Sequence, residues 1–108
     1  MEASDLDLRV RQDWQAARDV PNPHGLSIER NIVSPPERRT FENSFYSASS
    51  PAEERPTIEL WVVADEKPPT GNGGYFIIYE ERRDRFGLAT AGVFIGFYGT
   101  LADTIAGM

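Results

Sequence analysis

The sequence predicts an α+β fold with an N-terminal helix, an antiparallel sheet of about five strands and a short C-terminal helix, in one domain over residues 1–108. Apolar residues recur at helical spacing near both ends of the chain. Between these ends, short β-branched and aromatic runs alternate with proline- and glycine-rich turns. A hydrophobic content of 40% in a chain of this length supplies one core without disulfides.

The first predicted element is a helix over residues 4–20, because its apolar side chains recur every three or four positions. The side chains on this face are Leu6, Val10, Trp14 and Ala17. Ser4 and Asp7 are placed like a capping box at the start of the helix. Pro21 and Pro23 cannot continue a helix, so we expect it to end before them.

Two strands are predicted next. Alternating apolar residues over 26–32 predict the first strand, and Pro35 and Pro36 mark its end. Aromatic and charged residues over 37–46 predict the second strand. Residues 47–56 are rich in serine, alanine, proline and glutamate, which predicts a mobile surface loop.

The clearest strand covers residues 57–64, which are apolar on both faces and therefore predict a central position in the sheet. We expect Trp61 in this strand and Trp14 in the helix both to be largely buried. Prolines and glycines over 65–74 predict a long connection, after which residues 75–79 return as a strand.

The C-terminal part predicts an antiparallel meander followed by a helix. Residues 80–85 alternate in charge and suit the solvated end of a hairpin. Residues 86–89 and 93–98 predict two strands that turn between them at a glycine. Thr100 is placed to cap a last helix that carries Asp103 in its first turn.

Composition excludes several kinds of site. The chain has no cysteine, so a disulfide, a thiolate nucleophile or a cysteine-based metal site is impossible. Its acidic N-terminal segment does not resemble a secretory signal, and glycines interrupt its longest uncharged stretch, over 86–102. We therefore expect a soluble, cytoplasmic protein. The net charge of −6 disfavours nucleic acid as a partner.

No catalytic arrangement is predicted. His24 is the only histidine and lies in an Asn-Pro-His-Gly turn, without a serine or carboxylate at suggestive spacing. Neighbouring carboxylates on a strand point to opposite faces and do not converge on one atom. The glycine-rich stretch 71–74 lacks the Lys-Ser/Thr ending of a phosphate-binding loop. We expect no enzymatic activity, no cofactor and no metal.

The acidic charge is concentrated in one segment. Residues 42–66 hold six acidic side chains against Arg55 alone, a net charge of −5. A basic protein partner is therefore favoured, and it would be met by acidic residues in or beside loops. These candidate partner-binding residues are Glu53, Glu54, Asp65 and Glu66. Arginines at 38–39 and 82–85 have glutamates beside them and suggest salt-bridged hairpin ends.

Aromatic residues are dense in the C-terminal strands over 75–98. Two short helices cannot cover both faces of these strands, so part of the aromatic surface is expected to be exposed. Exposed tyrosine and phenylalanine are typical of protein interfaces, which predicts a protein partner or a self-association face.

Three glycine- and aromatic-containing stretches, 74–80, 86–89 and 92–101, resemble the ending of small bacterial immunity proteins. Members of that class are cytosolic antitoxins that neutralise polymorphic or contact-dependent toxins by direct binding. The resemblance implies a non-catalytic protein-binding domain whose partner is a toxin domain. The matched positions contain no defined toxin-contact motif, so no inhibitory residue is carried over.

Two other functions remain open at this point. One is an accessory or structural subunit that self-associates through its sheet, for example as a homodimer. The other is a small-molecule-binding domain whose pocket opens between the sheet and the N-terminal helix. An apolar cavity with convergent polar groups would favour the small-molecule function.

Overall fold

A computed structural model of the chain describes residues 1–51, 55–66 and 74–108. Three helices and five strands form in the order α1 (Ala3–Ala16), α2 (Ile28–Asn31), β1 (Ile32–Asn43), β2 (Thr57–Asp65), β3 (Phe76–Glu80), β4 (Arg85–Thr90), β5 (Val93–Gly99) and α3 (Leu101–Ala106). The predicted α+β class, with a helix at each end of an antiparallel five-strand sheet, is confirmed. No helix within the described ranges is both long enough and apolar enough to cross a membrane.

The sheet closes into a barrel, which the sequence did not predict. Each strand pairs antiparallel with the next along the chain. The first and last of five alternating strands must run in the same direction, and β1 and β5 do meet in parallel. This closing contact is short, because it joins only Glu42 to Val93 and Asn43 to Phe94.

Side chains alternate along the strands and supply two cores. The six buried residues of the inward face are Phe41, Leu60, Val62, Ile78, Ala89 and Phe94. Side chains on the outer face of β2, β3 and β4 form a second buried cluster with side chains of α1 and α3. The main buried residues of this second core are Leu6, Val10, Trp14, Val63, Ile77, Tyr79, Phe86, Leu88, Leu101 and Ile105. The predicted helical stripe of α1 is therefore the surface that packs on the barrel.

The start of α1 differs from the sequence prediction. Its N-cap is Glu2, and the capping box predicted from Ser4 and Asp7 does not form. The Asp7 carboxylate instead accepts a hydrogen bond from the Ser34 hydroxyl at 3.2 Å and one from Arg11 at 3.4 Å. A tertiary contact to β1 therefore replaces the local cap. The helix also ends at Ala16, earlier than the predicted Val20.

The predicted strand over 26–32 is wrong, since most of it forms the single helical turn α2. The Ser27 hydroxyl caps this turn by accepting a hydrogen bond from the backbone N–H of Arg30. The buried Asn31 amide then donates to the backbone carbonyls of Asp65 and Glu66, both at 3.1 Å. These bonds join the turn to the end of β2, a contact that the local apolar alternation does not reveal.

The predicted break at Pro35 and Pro36 is also wrong, because β1 continues through both residues. The β1–β2 pairing shifts register between Ile32 and Glu37, so the two prolines lie outside the paired positions. Proline has no N–H to donate, and a bulge is the place where a strand tolerates it. The two strands predicted on either side of the prolines are therefore one element.

The other elements agree with the prediction. Strands β2 to β5 occupy the predicted segments, and α3 begins with the Thr100 hydroxyl accepting from the Asp103 N–H at 3.0 Å. Trp14 is buried as expected. Trp61 is only half-buried. Its ring lies on the helix side of the sheet, and the guanidinium carbon of Arg38 lies 4.8 Å from the ring centroid. Most of the predicted connection over 65–74 lies outside the described residues.

Candidate functional site

A groove of about 690 Å³ opens where the end of β1, the start of β2 and the β3–β4 turn approach β5. Its walls combine phenylalanines and arginines, and we call it the aromatic–arginine groove. The residues that define it are Phe45, Phe94, Phe97, Arg55, Arg82, Arg83 and Arg85. They come from distant parts of the chain, and barrel closure brings them together.

The aromatic wall is a row of three rings. Phe45 lies edge-on to Phe94 with ring centroids 6.0 Å apart, and Phe94 packs on Phe97 at 4.7 Å. Phe94 is buried in the barrel, whereas Phe45 is 65% exposed, the largest exposure among the large hydrophobic side chains described. The row therefore extends from the core to the protein surface.

Two side-chain hydrogen bonds hold Phe45 in this exposed position. The Asn43 side-chain oxygen accepts from the backbone N–H of Phe45 at 3.1 Å, a local turn that asparagine favours. The Ser44 hydroxyl donates to the carbonyl of Phe94 at 3.3 Å and fixes the same turn to β5. The ring is thus presented by an ordered turn.

The opposite end of the row is covered by Arg85. Its guanidinium carbon lies 3.6 Å from the centroid of the Phe97 ring, and its Nε donates to Glu80 at 2.9 Å. Such stacking combines a cation–π attraction with an ion pair. The other glutamate in the groove, Glu59, pairs with Arg38 at 2.9 Å. Both carboxylates of the groove are therefore already paired with arginines.

Arg82 and Arg83 project from the β3–β4 turn, and both are exposed. Neither makes an ion pair or a hydrogen bond to another residue in the described part of the chain. The groove contains four arginines and two glutamates, a local net charge of +2. It is a positive region on a chain whose net charge is −6.

A polar network beside the groove anchors the β3–β4 turn to α1. The Tyr79 hydroxyl donates to Asp84 at 2.7 Å and accepts from Arg9 at 2.9 Å, while Arg9 also forms an ion pair with Asp84. Asp84 adopts a φ of 51°, a left-handed conformation that aspartate tolerates better than most residues. The pKa of Asp84 is lowered, chiefly by the hydrogen bond from Arg9 and next by the hydrogen bond from Tyr79.

The same network gives a pH prediction for Tyr79. Burial, reinforced by the hydrogen bond to Asp84, raises the pKa of Tyr79 from 10.0 to about 12. Because the folded state favours the neutral phenol, its contribution to stability is complete below pH 10 and is lost as the pH rises towards about 12. We expect an alkaline titration of phenolate absorbance to show a late step that Tyr79→Phe removes and that Tyr98→Phe, at an exposed position, retains. A wild-type titration without a late step would contradict this.

The structure describes two of the four predicted acidic partner-binding residues, Asp65 and Glu66. Glu53 and Glu54 lie outside the described residues. Asp65 is the last residue of β2, at the end of that strand remote from the groove residues Thr57 and Glu59. The side chain of Glu66 is only 16% exposed, because its carboxylate contacts the His24 ring and accepts from the Tyr75 N–H at 3.0 Å.

His24 lies in a turn, as predicted, and its ring contacts two residues that the local sequence did not identify. The Nδ1 atom contacts the carboxylate of Glu66, and the ring centroid lies 5.7 Å from that of Tyr75. Since Glu66 is 42 positions away along the chain, spacing near His24 gives no sign of it. These contacts attach the turn after α1 to the β2–β3 region.

Sequence reasoning missed the groove, although it identified two of its parts. The C-terminal aromatics were expected to leave an exposed surface, and Phe97 belongs to that set. The predicted salt bridges of the arginines at 82–85 form between Arg85 and Glu80, but not at Arg82 and Arg83 within the described ranges. The predicted strand over 37–46 includes Phe45, whereas β1 ends at Asn43 and leaves Phe45 in the turn that follows.

Comparisons with protein-family models, with curated proteins and with solved structures found no significant match to this chain. Among the described residues, no group of histidine, aspartate or glutamate side chains is arranged to hold a metal ion. The positive evidence on function is therefore the geometry and charge of the aromatic–arginine groove.

Proposed function

We propose that this chain is a non-catalytic protein-binding domain of the immunity-protein kind that its C-terminal third resembles, acting in the bacterial cytoplasm. It would neutralise a toxin by direct binding through the aromatic–arginine groove. The observation that carries the proposal is Phe45, an exposed aromatic side chain at the head of a row of rings that ends under Arg85.

The composition of the groove supports a protein partner. Phenylalanine and arginine are enriched at the centres of protein interfaces relative to the rest of the protein surface. Leaving a phenylalanine ring in water forgoes about 2 kcal/mol of burial free energy, which a partner would recover by covering Phe45. The volume of about 690 Å³ is large enough to receive several side chains of a partner.

The side chains of Phe45 and Arg85 are held in place before a partner binds, which supports tight binding. Phe45 is held by the turn at Asn43 and Ser44, and Arg85 is fixed between Phe97 and Glu80. Side chains that are already ordered lose less conformational entropy when a partner binds. Little rearrangement of this surface is therefore needed on association.

The acidic residues keep a secondary role in the proposal. A net charge of −6 would speed the encounter with a basic toxin at low salt. Glu66 is not available to a partner, because its carboxylate is bonded to His24 and Tyr75. Its replacement would disturb the fold. Glu53 and Glu54, which precede the groove residue Arg55 in sequence, remain the acidic candidates for contact.

Capture experiments with matched variants test this function. Phe45→Ala removes the exposed ring of the groove, and Leu8→Ala removes an exposed apolar side chain from α1. We expect a protein in the producing cell's lysate to bind the wild type and Leu8→Ala equally and to bind Phe45→Ala at least about tenfold more weakly, as at an interface hot spot. Equal capture by all three proteins would contradict the assignment of the groove.

The immunity function needs a growth readout. The captured protein should arrest growth when expressed alone, and co-expression of the wild-type chain should restore growth while Phe45→Ala should not. A captured protein that is harmless alone would refute the immunity assignment. A groove that instead receives a second copy of this chain would show a concentration-dependent dimer in sedimentation, lost in Phe45→Ala.

A further inference from the structure

The charge of the groove specifies the chemistry of the segment that it binds. Building on the proposed function, we propose that the aromatic–arginine groove binds an acidic segment of the partner. In this complex, partner carboxylates pair with Arg82 and Arg83, and an apolar partner side chain covers Phe45. The partner can thus be basic as a whole and still present an acidic segment at this contact.

Both glutamates that line the groove are already paired with arginines. Glu80 pairs with Arg85, and Glu59 pairs with Arg38, each at 2.9 Å. Arg82 and Arg83 are exposed and have no carboxylate within ion-pair distance in the described ranges. The positive charge available to a partner is therefore concentrated on these two consecutive arginines of the β3–β4 turn.

Two adjacent guanidinium groups favour carboxylates as ligands. Each presents a planar fork of N–H donors that matches the two oxygens of a carboxylate. The turn that carries them is fixed, because Asp84 is bonded to Tyr79 at 2.7 Å and paired with Arg9. The two arginines thus start from an ordered backbone, although their side chains extend into solvent.

An acidic polypeptide fits this groove better than a nucleic acid does. Non-specific binding of nucleic acid depends on many phosphate contacts, typically about six to ten in proteins that bind it well. The groove offers two arginines without a carboxylate partner in the described ranges, which is fewer than such binding needs. Because aromatic rings can also stack on bases, single-stranded DNA is included in the test.

The test uses a short fluorescent peptide of alternating glutamate and phenylalanine, its counterpart with glutamine for glutamate, and oligothymidylate. We expect the wild-type chain to bind the glutamate peptide at least about tenfold more tightly than either other probe, with affinity falling as salt rises. Arg82→Gln/Arg83→Gln should lose about tenfold in affinity for the glutamate peptide. Arg11→Gln/Arg18→Gln removes the same charge from α1 and the turn that follows it, and should leave that affinity unchanged.

Three results would overturn the inference. They are equal binding of the glutamate and glutamine peptides, equal losses in the two double variants, and tighter binding of oligothymidylate than of the peptide. Equal melting temperatures of both double variants and the wild type ensure that a loss of affinity is not a loss of fold. The capture experiment with Phe45→Ala decides the proposed function separately, because it does not depend on Arg82 or Arg83.

Discussion

Gly87→Ala is expected to lower the free energy of unfolding by about 3 kcal/mol or more, the largest effect that we expect from a single methyl group in this chain. A Cβ atom at Gly87 would lie 2.2 Å from the Gly96 carbonyl oxygen and 2.9 Å from the Phe97 Cα. Both are backbone atoms of β5 and cannot rotate away. Close approach of β4 to β5 therefore requires glycine at this position.

Gly96→Ala is the matched control for Gly87→Ala, because a Cβ atom there meets no other atom within 4 Å. Urea denaturation of both variants measures the difference in their free energies of unfolding. We expect Gly96→Ala to stay within about 1 kcal/mol of the wild type. Similar values for the two variants would contradict the close approach of β4 to β5 at Gly87.

Leu6→Ala is expected to cost about 3 kcal/mol, because Leu6 is completely buried between α1 and the outer face of the sheet. Leu8 lies two positions away on the same helix and is 57% exposed, so Leu8→Ala is expected to change stability by no more than about 0.5 kcal/mol. Thermal or urea unfolding of the pair tests which face of α1 packs on the barrel. Equal losses would mean that the helix is docked differently.

The elements that could be predicted are those whose local pattern and tertiary environment agree. In α1 the apolar stripe through Leu6, Val10 and Trp14 is the surface that is buried. In β2 the apolar residues on both faces match a strand with one face inside the barrel and the other under the helices. Turn glycines and the Thr100 cap similarly place β4, β5 and α3.

Local pattern failed where distant contacts decide the structure. The segment 26–32 alternates like a strand, but the Asn31 amide bonds to carbonyls of Asp65 and Glu66, which favours a helical turn. The prolines at 35 and 36 predict a break, but the register shift beside β2 leaves them in the strand. In both places the deciding partner is more than twenty residues away.

The same reasoning explains why the candidate site was only partly predictable. The sequence shows the aromatic residues and the arginine cluster. They lie side by side only because the short parallel contact between Asn43 and Phe94 closes the barrel. That contact brings Phe45 onto Phe94. The predicted site residue Glu66 is held away from a partner by His24, another contact between distant segments.

Hydrogen–deuterium exchange of the chain, alone and bound to the captured partner, tests the central claim most directly. Amides that a partner covers or rigidifies exchange more slowly in the complex. If the partner binds the aromatic–arginine groove, exchange in the complex should be slower than in the free chain over 43–45, 82–85 and 94–97. Exchange in α1 should be unchanged. Slowed exchange confined to α1 and α3, with those three segments unchanged, would contradict the claim that the aromatic–arginine groove is the binding surface.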